Sequence, residues 1–265
     1  MRIELNGKRA VISGSTSGIG YAVAQGLAAA GAAVVITGRE NARVEASVAS
    51  LRTELPDASV QGVAADLGTP DGAAALIAAV PEADILINNL GIFEWRGSFF
   101  ELEDADWERM FEVNVMSGVR LSRHYARGMV SRGWGRIQFV ASESGVLIPP
   151  DMVHYGASKA AQLAVSRGLA ETLAGTGVTV NAVLPGPTRT SGADEFFARL
   201  AAEQGTTPEQ AEVEFVARQR PTSLIQRMAR PEEVANLCVY LASEQASATT
   251  GAAPRVEGGI IRTIA

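Results

Sequence analysis

Short β-branched runs that alternate with longer alanine-rich stretches constrain this chain more than any other feature. "RAVISG" is followed by "IGYAVAQGLAAAG", "AVVITG" by "ARVEASVASLRTEL", and "VQGVAAD" by "GAAALIAAV". Each short run is apolar along nearly its whole length, so as a strand it needs cover on both faces, and a helix from each intervening stretch supplies it. Further strands are expected at "DILINN", "GRIQFVAS", "VTVNAVLPG" and "APRVEGG", separated by "WERMFEVNVMSGVRLSRHYARGMVS", "HYGASKAAQLAV" and "PEEVANLCVYLAS". Seven strands and about six helices predict a doubly wound parallel α/β sheet with helices on both faces. No composition break divides the 265 residues, which are expected to form a single domain. The one irregular region is 188–228, where "EFFARLAAEQ" and "PEQAEVEFVARQ" read as short amphipathic helices and Phe196, Phe197 and Phe215 as the apolar faces of a lid over the substrate.

Charge and composition narrow the function. Net charge is −6 and no basic run or face appears, which argues against a nucleic-acid or anionic-membrane surface. The N-terminus lacks the apolar core of a signal peptide and no apolar run reaches membrane-spanning length, so a soluble, cytoplasmic protein is expected. One cysteine, Cys238, excludes an internal disulfide and reads as a small buried hydrophobe; with two histidines, no metal site is expected. A small-molecule ligand fits best.

Two local patterns carry chemistry. In "VISGSTSGIG" a strand runs into Gly14, Gly18 and Gly20, and a helix begins near Ile19. Glycines allow a tight turn and close approach of the backbone to a pyrophosphate, whose charge meets the free N–H groups at the helix start. In "HYGASKAAQLAV" Tyr155 and Lys159 stand four residues apart, on one helix face. A phenol with a pKa of about 10 is a poor acid or base near neutrality. An ammonium one turn away favours the phenolate and is expected to pull that value down.

The ordered set of these motifs resembles the short-chain dehydrogenase/reductase family over nearly the whole chain. The glycine turn is followed by "AADL" with Asp66, "NNLG" from Asn88 to Gly91, Asn114 in "EVNVMSG", Ser142 in "VASESG" thirteen positions before Tyr155, "YGASK", and "LPGPTRT" with Pro185, Gly186, Thr188 and Thr190. The family has a Rossmann-type fold, and the resemblance implies a hydride-transfer enzyme acting on a carbonyl or alcohol substrate. It makes Tyr155 the acid or base, Ser142 the hydrogen-bond donor to the substrate oxygen, Lys159 also the ligand of the nicotinamide ribose, and Asn114 the holder of a water that links Lys159 to solvent. It places the cofactor on Gly14, Ser17, Gly18, Ile19 and Gly20, on Asp66 and Leu67 at the adenine, on Asn88 and Gly91 at the adenosine ribose, and on Pro185, Gly186, Thr188 and Thr190. Leu90 stands where the family usually has alanine.

Cofactor choice turns on the end of the second strand, "VVITGRE". Arg39 offers a cation to a 2′-phosphate and Gly38 occupies the place of an acid that would bind a free ribose hydroxyl, so NADP is favoured over NAD. The substrate pocket is expected from Phe93, Glu94 and Trp95, from 143–148, from Met152 and His154, and from 188–228. Glu143 reads as a solvated loop residue, and His154, next to Tyr155 on the helix, as pointing away from it. The helices around Asn114 and Tyr155 carry small and apolar residues on more than one face, which with the family's habit points to a homotetramer. A 3-oxoacyl reductase, a polyol dehydrogenase and a reductase of hydrophobic ketones stay open, as does a catalytically silent dinucleotide-binding regulator.

Overall fold

The computed structural model describes residues 2–94 and 98–264, with side chains except at 191, 192 and 195. Trp95 lies outside the described residues. The strands are β1 (Arg9–Ile12), β2 (Ala33–Gly38), β3 (Val60–Ala64), β4 (Ile85–Asn88), β5 (Gly135–Val140), β6 (Val178–Pro185) and a short β7 (Arg255–Val256). They form one seven-stranded sheet in the order β3-β2-β1-β4-β5-β6-β7, and each neighbouring pair is parallel. The doubly wound α/β fold expected from the alternation is therefore the fold observed.

Side chains alternate across the strands, and the helices follow that period. Ala10, Ile12, Val34, Ile36, Ile85 and Ile87 face one side, where they pack with α1 (Gly18–Ala29), α2 (Asn41–Glu54) and α9 (Pro231–Leu241). Val11, Val35, Leu86 and Ile137 face the other, against α3 (Pro70–Ala79), α5 (Ser117–Arg132) and α6 (Val153–Thr172). Burial of each such Val, Leu or Ile contributes about 1.5–3 kcal/mol. Cys238 is fully buried in the first of these layers, as expected of a small hydrophobe, and burial pushes its thiol up to about 12.

The strand order reverses between β1 and β4, where the chain winds first one way and then the other. A crevice opens there beyond the carboxyl ends of the strands. Two elements shape what faces it. The expected single helix before β5 is α4 (Asp104–Phe111) and α5 joined by a π-helical turn, Glu112–Met116, which carries Asn114. The irregular 188–228 region holds α7 (Ser191–Gln204) and α8 (Pro208–Gln219), and Phe197 is buried in a small core between them with Ala201 and Ala211. Phe196, Phe197 and Phe215 meet edge to face, ring centroids 5.1–5.6 Å apart.

Candidate active site

The crevice begins at the glycine turn. Gly14 and Gly18 have φ of 62° and 58°, the left-handed region that side chains rarely adopt. Gly20 is required for space: a Cβ there would lie 2.4 Å from the Gly14 carbonyl oxygen and 2.5 Å from Asn89 Nδ2. Ser13, Asn89 and Thr37 hold the turn to the sheet. Ser13 Oγ accepts the N–H groups of Asn89 and Leu90, both at 2.9 Å. Asn89 Nδ2 donates to the carbonyls of Ser13 and Gly14 at 3.1 and 2.9 Å, and Gly14 N donates to Thr37 Oγ1 at 3.1 Å. The signal for Asn89 was its place in the "NN" pair closing β4. Leu90 is accommodated because it packs on Gly14, its Cα 3.1 Å from where a Cβ would be.

At the start of α1, Ser17 makes no side-chain cap bond and the first turn holds no acid. The helix thus presents uncapped N–H groups and a positive end, the requirements for an anion. Beside it lies a pocket whose polar lining includes Thr16, Ser17, Arg39, Glu40 and Arg43, two cations against one acid, with Leu67 and Leu90 as its apolar wall. Arg43 follows Arg39 by four residues, a spacing that would have revealed it. A Cβ on Gly38 would fall 2.6 Å from Thr16 Cγ2, so an acid at 38 has no ready room. These residues fit a phosphorylated dinucleotide better than an unphosphorylated one.

Four candidate catalytic residues converge at the far end of the crevice. Ser142 follows β5, and its side chain lies near enough to Tyr155, in the first turn of α6, to act on the phenol. Lys159 Nζ lies 5.6 Å from the Tyr155 ring centroid and donates to the Val140 carbonyl at 3.0 Å. Asn114, fully buried, clamps the strand-end loop to α6: its Oδ1 accepts Ile92 N at 2.7 Å, and its Nδ2 donates to Ile92 O at 2.9 Å and Ser158 Oγ at 3.0 Å. Gly91 passes so close over this group that a Cβ would sit 3.2 Å from Lys159 Nζ.

The electrostatics correct one expectation. Burial pushes the Tyr155 phenol up to about 12, and Glu143 adds to the rise; the opposing pulls come from the Ser142 hydrogen bond and the Arg220 guanidinium, not from Lys159. Burial lowers Lys159 itself to about 8, against an upward pull from Glu143. Loss of hydration at both groups outweighs their mutual proximity.

Glu143 is the second correction. It is only 3% exposed. Ser142 Oγ donates to its Oε2 at 2.6 Å, and Arg220 Nε, at the end of α8, donates to its Oε1 at 2.8 Å. Nothing local announces a pairing across 77 positions.

Asp66 is exposed beyond β3, where its Oδ1 accepts Gly68 N at 3.1 Å and shapes the turn into α3. Asn88 turns its side chain inward, donating to Ser122 Oγ at 3.1 Å, so it meets the crevice through its main chain. The segment after β6 reaches back to the glycine turn: Gly186 N donates to Val256 O at 3.0 Å, Thr188 Oγ1 donates to Gly186 O at 2.9 Å, and Thr190 Cγ2 lies 3.0 Å from a Cβ placed on Gly18. Ile19 and Pro185 flank those contacts at the start of α1 and the end of β6. Phe93 stands over the site, its ring centroid 6.4 Å from that of Tyr155. His154 is fully buried against Trp107, pointing away from the crevice as its helix position requires. Among the described residues no group of three or more His, Cys, Asp or Glu is placed to hold a metal ion, and no helix is long and apolar enough to cross a membrane.

A glycine turn and arginine-lined pocket at a strand-order switch, with a serine, tyrosine and lysine beyond the neighbouring strand ends, fit a dinucleotide-dependent oxidoreductase. Comparison with known proteins agrees. The family model described as enoyl-(acyl carrier protein) reductase matches residues 14–261. Over the full length of both chains, 46% of residues are identical to the uncharacterized oxidoreductase YvaG of Bacillus subtilis. The 3-oxoacyl-[acyl-carrier-protein] reductase FabG of Aquifex aeolicus is 32% identical over 98% of this chain and all of that one. L-sorbose reductase from Gluconobacter frateurii, solved with NADPH and L-sorbose, is 34% identical, with a TM-score of 0.92 over the whole of both chains. The chain belongs to the short-chain dehydrogenase/reductase family and is an oxidoreductase.

Proposed function

We propose that this protein reduces a ketone to a secondary alcohol with NADPH, and catalyses the reverse oxidation with NADP; NAD(H) serves less well. The observation that carries this reading is the nearness of Tyr155 to Ser142, one helical turn from Lys159, whose Nζ lies 5.6 Å from the phenol ring centroid. The NADPH-bound sorbose reductase and the 3-oxoacyl reductase among its relatives support it.

In the balanced reaction, ketone, NADPH and a proton give alcohol and NADP. The reduced nicotinamide supplies the hydride to the carbonyl carbon. Tyr155 gives its phenolic proton to the oxygen, and Ser142 donates a hydrogen bond there that strengthens as negative charge develops. Lys159 bonds the nicotinamide ribose hydroxyls and, through Asn114 and a water, is reprotonated from solvent. The glycine turn and α1 bind the pyrophosphate, and Arg39 and Arg43 bind the 2′-phosphate. Asp66 and Leu67 meet the adenine, the main chain of Asn88 to Gly91 the adenosine ribose, and Pro185, Gly186, Thr188 and Thr190 enclose the nicotinamide end. The 188–228 segment covers the substrate. The enzyme works in the cytoplasm as a homotetramer, and a sedimentation run at micromolar protein that returns only monomer contradicts that assembly.

The test is a screen of the purified protein against ketones, 3-oxoesters and alcohols, following the absorbance of reduced nicotinamide with each cofactor. NADPH oxidation is expected, with kcat/KM at least about tenfold above that for NADH, since an unpaired pair of arginines forfeits a charged hydrogen bond. No turnover with either cofactor would overturn the reading.

A group whose pKa falls to about 8 keeps its proton at neutrality and loses it above that value. NADPH affinity, read by fluorescence titration, is therefore expected to be level up to about pH 7 and to weaken from about pH 8 upward as the Lys159 charge disappears. Affinity unchanged to about pH 9.5 would contradict it.

A further inference from the structure

We propose that Glu143, held by Arg220, selects ketones with a hydroxyl on the carbon beside the carbonyl, so that the substrates are α-hydroxyketones and, in the reverse direction, vicinal diols. The inference rests on the reductase reading and specifies its substrate.

A carboxylate can only accept hydrogen bonds, and a buried one must have its acceptors filled. Glu143 has donors on both oxygens: Ser142 Oγ–H on Oε2 at 2.6 Å and Arg220 Nε–H on Oε1 at 2.8 Å. Ser142 has a single hydroxyl proton, given to Glu143; its Oγ accepts Ser144 N at 3.1 Å, and the Tyr155 phenol is its remaining neighbour. To bond a carbonyl oxygen, also an acceptor, Ser142 must turn that proton away from Glu143.

The ligand then decides whether the exchange is balanced. A plain ketone brings no donor, so the buried carboxylate loses a charge-assisted hydrogen bond as the carbonyl gains one. An α-hydroxyketone brings one O–H, a single C–C bond from the reacting carbon. Its hydroxyl oxygen and its carbonyl oxygen can face Oε2 and Oγ together, because those two atoms are themselves only 2.6 Å apart. The substrate hydroxyl donates to Oε2, Ser142 donates to the carbonyl oxygen, and every acceptor remains filled. A 3-oxoester presents a second acceptor to the carboxylate and is disfavoured.

Arg220 makes this possible. Its guanidinium fixes the far oxygen of Glu143 and offsets the buried charge, and it does so from the end of α8, in the segment that covers the site. The acceptor is thus complete only when that segment is in place.

The experiment compares hydroxyacetone, methoxyacetone and ethyl 3-oxobutanoate as substrates of the full-length protein with NADPH. Methylation removes the donor and adds one methyl group, and Glu143→Gln separates the two, since only the donor's share of the ratio depends on the carboxylate. Hydroxyacetone is expected to exceed methoxyacetone in kcat/KM by about 10- to 100-fold, and Glu143→Gln to bring the ratio within about threefold of unity. The ratio is internal to each protein, so a loss of folded enzyme does not move it, and the unaltered protein decides the point if the variant does not fold. Equal use of the two ketones, preference for the oxoester, or a ratio that survives Glu143→Gln overturns this inference and leaves the reductase standing. No oxidation of NADPH with any ketone removes both.

Discussion

Tyr155→Phe is expected to lower kcat for ketone reduction by about a thousandfold while NADPH binding stays within about threefold of the unaltered protein. The substitution deletes one oxygen and keeps the ring, so its packing against Phe93 survives. What is lost is the proton that must reach the carbonyl oxygen as hydride arrives. Because burial holds the phenol near 12, it is protonated throughout the neutral range, the form that reduction needs. Alcohol oxidation needs the phenolate and is expected to accelerate with pH. Rapid-mixing kinetics and a fluorescence titration of NADPH check the two halves separately. Turnover unchanged in the variant would remove Tyr155 from the chemistry.

The second large effect is expected at the opposite end of the crevice. Gly20→Ala would bring a Cβ within 2.4 Å of Gly14 O and 2.5 Å of Asn89 Nδ2, and neither can retreat cheaply. Gly14 O belongs to the turn that approaches the pyrophosphate, and Asn89 ties that turn to β4. Overpacking of this kind costs about 1–3 kcal/mol, or roughly 2–12 °C in the thermal midpoint of a chain of this size. NADPH binding is expected to weaken about a hundredfold, since the main-chain N–H groups lose their aim. Gly168→Ala is the control: nothing lies within 4 Å of its added methyl, and a helix interior gains from alanine. Equal calorimetric midpoints and equal NADPH affinity for the two variants would show that the turn has slack.

Much of the architecture was legible because the features that produce it are local. The "RAVISG" and "AVVITG" runs became β1 and β2, and the seven expected strands are the seven observed. The helix before β5 was legible only in part. Hydrophobic period marks a helix but not its winding, and the π-helical turn that seats Asn114 against Ile92 and Ser158 depends on those partners. The inward turn of Asn88 was hidden for the same reason, since its partner Ser122 belongs to a helix later in the chain.

What the amino-acid order determined by itself was the doubly wound sheet, the glycine turn at the start of α1, and the placing of Tyr155 and Lys159 on one helix face. Each follows from spacing within a turn or two of chain, where geometry is set by neighbours in sequence. Only the tertiary structure decided that the phenol is raised rather than lowered and that Glu143 is buried and paired with Arg220. Hydration and the partner of a buried charge depend on which distant segment closes over it.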